Sequence, residues 1–499
     1  MLIAAIVLAG AVASGGAASP AFVHVDRSVP VEPTPSPPLA SGPEYGSLGG
    51  VLDVSIDARP TRVMIGNRAI DGATYNGSYA GPVLRLHPGD TLRMHFTNHL
   101  PQITNVHFHG LGVSPAGHGD DSMRMIAPGE TWDYVIPIPR DHPPGVYWFH
   151  THGHDFAERQ VMGGLSGTLV IEGFQDEVPA TRPLVEHLMA LKEFSPSGSG
   201  KLNNVPKPSH GTIKTINGQV DPRIDMQLGE TQLWRLSGQT ANGYFRMRAK
   251  GLKLVVIGRD ARPLLTPEPT DEVLLGPSER VDVLVTAGDA GRYTLMQEKT
   301  ATGPNGDMSP AQRLAEVIVA RDPSRPAPAP LGALTVNAPK QQPIAAASVV
   351  KKRLVVFSED VVTGLFFINH QVFDPERTDI RVPLGSIEEW TVRNASEELH
   401  VFHIHQLPFQ VVSINGKPQP FVGLRDTIDV PIHGEVTIRL AFTDPLIVGK
   451  FMYHCHILYH CHILEHEDKG MMATIEVYDP KKGPTEKMSS MAMAGGSHG

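Results

Sequence analysis

The chain has 499 residues, enough for about three domains of about 150 residues each and for several buried cores. Its 49 glycines and 44 prolines, with only 19% charged residues, favour a turn-rich β protein over a helical one. A net charge of −9 argues against indiscriminate nucleic-acid binding, and two cysteines exclude a disulfide framework.

The N-terminal run MLIAAIVLAGAV passes into the small residues Ala11-Val12-Ala13. It resembles a secretory h-region and cleavage site, although the positive n-region is missing. Residues 1–23 are therefore expected to be a signal peptide or N-terminal apolar segment of an exported protein, periplasmic or secreted. An uncleaved anchor is the alternative, but the run is short for a bilayer span. No other stretch could span a membrane, so none is expected in the mature protein.

Residues 24–44 contain Pro30, Pro33, Pro35, Pro37, Pro38 and Pro43 and read as an extended tether. A second proline-rich break, DPSRPAPAP from Asp322, opens an expected linker over 323–345. The tail over 481–499 contains Met488, Met491, Met493 and His498 in low-complexity sequence and is expected to be disordered.

Three similar units lie between these breaks. A glycine turn precedes an alternating apolar/polar run at Gly89–Asn98, Gly229–Gly238 and Gly385–Asn394. Each unit closes with another such run, Gly167–Glu172, Ala315–Val319 and Met472–Val477. Period-2 alternation marks a half-buried strand. The repeat predicts an all-β protein of three consecutive β-sandwich domains, 45–175, 176–322 and 346–480.

Histidines cluster in the first and third units only. The clusters are His107-Phe-His109-Gly, His150-Thr-His152-Gly-His154, His400-Val-Phe-His403-Ile-His405, and the stretch Tyr453–Met472. The middle unit has Tyr244-Phe-Arg-Met247 after its equivalent strand. It is therefore expected to be a spacer or substrate wall. On a strand, residues i and i+2 share a face, so each His-x-His pair aims two imidazoles at one locus. His118, His142 and His154 are read as rim histidines or ones that support a ligand, not as ligands themselves.

The last cluster holds both cysteines, because the hexapeptide YHCHIL occurs twice in tandem, at Tyr453–Leu458 and Tyr459–Leu464. The second copy continues through His466 to Met471. A thiolate, two imidazoles and a weak axial thioether form a blue-copper site. In an HCH triplet the cysteine faces away from its neighbouring histidines, so a thiolate site and an imidazole site would be joined through a few backbone bonds.

These four motifs, in this order, resemble those of the three-domain multicopper oxidases, the laccase and copper-efflux-oxidase family, over about Tyr45 to Asp479. The resemblance implies three cupredoxin-like Greek-key β-sandwiches and four copper ions. The type 1 copper ligands would be His400, Cys461 and His466, with Met471 axial. His107 and His403 match the type 2 copper. His109, His150, His152, His405, His460 and His462 match the paired type 3 coppers. Glu467 matches an acid that supplies protons during oxygen reduction, and Asp120 or Asp121 matches a second acid near the cluster. Val401 and Gln406 stand where the family usually has proline and glycine.

The duplication leaves two registers. Gly449–Tyr453 matches the family lead-in to the first copy, and Glu465–Met472 matches the run-out from the second. The second copy is preferred: Ile457-Leu458-Tyr459 can replace Phe451-Met452-Tyr453, because a six-residue shift preserves the inward face. The extra residues would then enlarge the loop around Asp444–Lys450. The first copy is the alternative, with His454, Cys455, His456 and His460 and with Glu465 at the axial position.

The function implied is one-electron oxidation of a donor, a phenol, an aromatic amine or Cu(I), coupled to reduction of dioxygen to water. A non-catalytic copper-binding or structural relative and a copper-dependent nitrite reductase are the alternatives. Natural donor and oligomeric state are not legible in the sequence.

Overall fold

The computed structural model describes residues 36–194, 212–304, 306, 308–339, 341–455 and 469–484. Within them the strands form three pairs of facing sheets, each closed over one apolar cluster. The chain is all-β, three consecutive cupredoxin-type sandwiches.

The sequence repeat is a repeat of strand position. Thr91–Asn98, Thr231–Gly238 and Ser386–Asn394 each run parallel to an earlier long strand and antiparallel to a later one. Thr91–Asn98 buries alternate residues, among them Leu92, Met94 and Phe96, as the period-2 pattern requires.

The second sheet of each sandwich also repeats. Val83–Leu86, Arg223–Gln227 and Ile380–Pro383 pair in parallel with the closing strands Ser166–Ile171, Gln312–Ala320 and Met472–Tyr478. Beside the closing strands lie Gly145–His150, Gly291–Gln297 and Gly449–Cys455, and beside those His107–His109, Phe245–Ala249 and His400–Ile404. All four histidine clusters begin on these last two strand types. The fold thus fixes in advance which residues face one another.

The described end of the proline-rich tether does not float free. Leu39 N donates to Arg223 O at 2.8 Å, and Arg223 N donates to Pro37 O at 2.6 Å, so this segment runs along the middle sandwich. The linker over 323–345 forms no strand, but Gln341 is buried, donating to Pro263 O and accepting from Leu424 N. Among the described residues no helix is long and apolar enough to cross a membrane.

Candidate metal centre

In the first sandwich His107 lies opposite His150 across two antiparallel strands. In the third, His403 lies opposite His454 in the same relation. The outer sandwiches place these strand pairs against each other, so that the His107 ring stacks on His405 and the His109 ring on His403, both at 3.7 Å. His107, His109, His150, His152, His403, His405 and His454 are all fully buried. Their nitrogens form the groups His107/His109/His150, His107/His403/His405 and His152/His405/His454, with ligand atoms within 4.8 Å of one another in each.

Backbone and carboxylate acceptors set the ring orientations. His107 Nδ1 lies 3.0 Å from Asp120 Oδ2, His150 Nδ1 donates to Thr151 O at 2.7 Å, and His403 Nδ1 donates to Asp426 O at 2.8 Å. In each ring this leaves Nε2 as the lone-pair nitrogen, the arrangement by which outer partners orient metal-binding imidazoles. His107 Nε2 and His405 Nδ1 have no hydrogen-bond partner among the described residues. Burial and neighbouring imidazoles push the protonation of His109 and His405 well below the ordinary histidine range. Burial also lowers His403 to about 3, against the pull of Asp426. Clustered neutral imidazoles with a buried, unpartnered ring nitrogen suit a transition metal.

A sulfur site adjoins this cluster. His400 Nδ1 lies 2.9 Å from Cys455 Sγ, and His400 Nε2 lies 2.7 Å from Ser396 Oγ. Cys455 N donates to Met471 O at 3.3 Å, and Cys455 and Met471 share the apolar core of the third sandwich. Alternation along Gly449–Cys455 sends the Cys455 side chain to the face opposite His454.

The preferred register, through Cys461, falls on residues the structure does not describe. The first hexapeptide copy, not the second, supplies the cysteine on this strand; His460, Cys461, His462, His466 and Glu467 lie outside the described residues. Nor do the extra residues enlarge Asp444–Lys450. Pro445–Ile447 is a single 3₁₀ turn capped by the Asp444 side chain, and it buries Ile447 in the core. Gly449 follows at φ +148°, where an added Cβ would meet Pro115 Cγ at 2.9 Å. A six-residue slip preserves the inward face of the strand but would unseat Ile447 and Gly449. The turn, which the alternation pattern ignores, favours the first copy on this strand.

The acids also separate. Asp120 is fully buried, its Oδ1 accepting from Phe108 N at 3.0 Å while the carboxylate holds His107. Asp121 Oδ1 instead accepts from Met123 N, and burial raises its protonation range. A residue that sequence reasoning missed, Asp426, lies 3.4 Å from His109 Nε2. It is gripped by Arg280 of the middle sandwich through two hydrogen bonds, 2.8 and 2.5 Å. Burial opposes ionisation there, but the Arg280 charge outweighs it and holds the Asp426 carboxyl well below the usual range. Gly110, after the first histidine pair, makes room: at φ +86° its Cβ would stand 2.7 Å from both Arg280 Nη2 and Asp426 Oδ2.

The remaining histidines stay outside the metal groups. His118 stacks on Trp132, His142 accepts from Gly112 N, and the His154 ring lies 4.9 Å from Phe373.

Family models of multicopper oxidase match residues 59–176, 189–316 and 345–481. The chain belongs to the multicopper oxidase family. It is 28% identical over 416 residues to the multicopper oxidase mco of Staphylococcus haemolyticus, covering 81% of this chain and 83% of that protein. It is 26% identical over 431 residues to the cell division protein FtsP of Escherichia coli, covering 83% and 87%. The solved multicopper oxidase of Campylobacter jejuni, described as a metallo-oxidase, superposes with a TM-score of 0.74 at 26% identity, covering 89% of this chain and 96% of that one. The laccase-like oxidase CueO of an Ochrobactrum species gives a TM-score of 0.74 at 25% identity, covering 88% and 100%. In a multicopper oxidase the group these imidazoles and this thiol would hold is copper.

Proposed function

We propose that the chain is an exported oxidase that removes single electrons from a reducing donor and reduces dioxygen to water at four copper ions. The observation that carries this reading is the meeting of two mirrored histidine strand pairs, from different sandwiches, within two residues of a cysteine–histidine pair. His400 and Cys455, beside Met471 in the same apolar core, would hold the donor-side type 1 copper. His107 and His403 would hold the type 2 copper, and His109, His150, His152, His405 and His454 the type 3 pair. The segment 456–468, with His456, His460, His462 and His466, would supply the remaining ligands.

Bound copper supplies the redox chemistry: four one-electron oxidations balance one dioxygen reduced, with four protons, to two waters. The protein does the rest. Ser396 fixes the His400 ring, and the apolar core around Cys455 keeps the sulfur dry. One peptide unit links Cys455 to His454, a short covalent route between the two sites. Asp120 holds the Nδ1 proton of His107 and is assigned to proton delivery.

The donor is a phenol, an aromatic amine or Cu(I). The similarity to FtsP supports a second reading, a cell-division protein without turnover. Oxygen uptake by fully copper-loaded protein separates the two. Consumption of one dioxygen per four donor electrons, with a phenol or with Cu(I), is the expected result; no uptake with either donor favours the second reading.

A further inference from the structure

Gln406 directly follows His405 and is 2% exposed, yet its backbone is left-handed at φ +68°. A residue with a Cβ is rarely held in that region unless its surroundings over-determine it. The side chain supplies the reason. Its Nε2 donates to Asp120 Oδ2 at 2.9 Å and reaches Asp120 O at 3.4 Å. A carboxylate only accepts, so the amide nitrogen must be the end facing Asp120. The amide oxygen is left without a hydrogen-bond partner among the described residues.

On its other side Gln406 lines a cavity of about 480 Å³. All three sandwiches and the linker contribute to its wall, through His142, Arg262, Gln341, Leu424 and Ile447. The same side chain therefore bounds a solvent-sized cavity on one face and the carboxylate of a metal-facing histidine on the other.

We propose that Gln406 is a positioning residue that fixes Asp120 against His107 and closes the inner end of this interdomain cavity, so that water and small anions reach the imidazole cluster from this side only past its amide. The inference rests on the reading of that cluster as a copper site.

Gln406→Gly tests it, because glycine accepts the left-handed backbone and deletes the amide. In copper-loaded full-length protein, the type 2 copper is expected to be lost to a chelator about tenfold faster, the scale of effect seen when a partner of a metal ligand is removed. Fluoride, followed by its superhyperfine splitting of the type 2 EPR signal, should bind more tightly, with the blue absorption unchanged. Gln406→Glu, which sets a carboxylate against Asp120, should lose type 2 copper at least as fast. Chelator and fluoride behaviour equal to wild type in both variants overturns the proposal.

A metal-free arm keeps it independent of the functional reading. In apo-protein, carbethoxylation of His107 and His405, read by mass spectrometry, should accelerate in Gln406→Gly; an unchanged rate overturns the closing role. Wild-type protein that takes up no copper would defeat the functional reading while leaving this arm decisive. If circular dichroism shows that the glycine variant does not fold, Gln406→Asn, too short to reach Asp120, replaces it.

Discussion

The strands Phe245–Ala249 and His400–Ile404 occupy matching places in the middle and third sandwiches, and the residues opposite them match too. Where the third sandwich pairs His403 with His454 and the first pairs His107 with His150, the middle one pairs Arg248 with Met296. Arg248 is exposed and bound to Glu272, whereas all four histidines are buried. Identical strand geometry makes a metal site only where two such faces meet across a domain boundary. Among the described residues, none of the candidate metal groups includes a residue of the middle sandwich. It is nevertheless more than a spacer, because it sends Arg280 into the cluster's edge, where it holds Asp426 and, through Nε, reaches Val146 O of the first sandwich.

That contrast can be broken most severely by removing the arginine. Arg280→Met should leave the Asp426 and Asp260 carboxylates buried without their main counter-charge and cost about 3–5 kcal/mol of stability. Denaturant unfolding of apo-protein measures the loss, and copper uptake should fall with it. The expected loss is smaller for Gly110→Ala, about 2 kcal/mol, from a Cβ forced against the same ion pair at a left-handed φ.

Acid should separate the outer sandwiches from the middle one. His109, His403 and His405 stay neutral in the fold but take up protons on unfolding once the pH drops below about 6.5. Stability of the apo-protein is therefore full above that value and is lost as pH falls towards the lowered folded range, for His403 down to about 3. Each such group contributes about 1.4 kcal/mol per pH unit within its window. Guanidinium titrations between neutral pH and pH 4 measure the slope, which His403→Gln should make shallower. The smallest effect is expected from grafting the motif: Arg248→His with Met296→His should leave copper stoichiometry unchanged by metal analysis, because Arg248 is exposed and no candidate metal group among the described residues reaches the middle sandwich.

Much of this was legible in the sequence. Period-2 alternation after a repeated glycine turn located equivalent strands in three sandwiches, and paired histidines at i and i+2 located the faces that meet. Two things were not legible. A six-residue duplication is invisible to a period of two, so the alternation could not choose between Cys455 and Cys461; the buried turn at Ile447 and the close approach of Gly449 to Pro115 favour Cys455. Arg280 and Asp426 belong to no local pattern, because they pair with each other across two sandwiches.

The central claim is that the first copy of the hexapeptide carries the thiolate joined to the imidazole cluster. Cys455→Ser and Cys461→Ser, each prepared in copper-loaded protein, test it through the blue thiolate-to-copper absorption. The absorption should disappear in Cys455→Ser and survive in Cys461→Ser. Absorption that survives in Cys455→Ser and disappears in Cys461→Ser would contradict it.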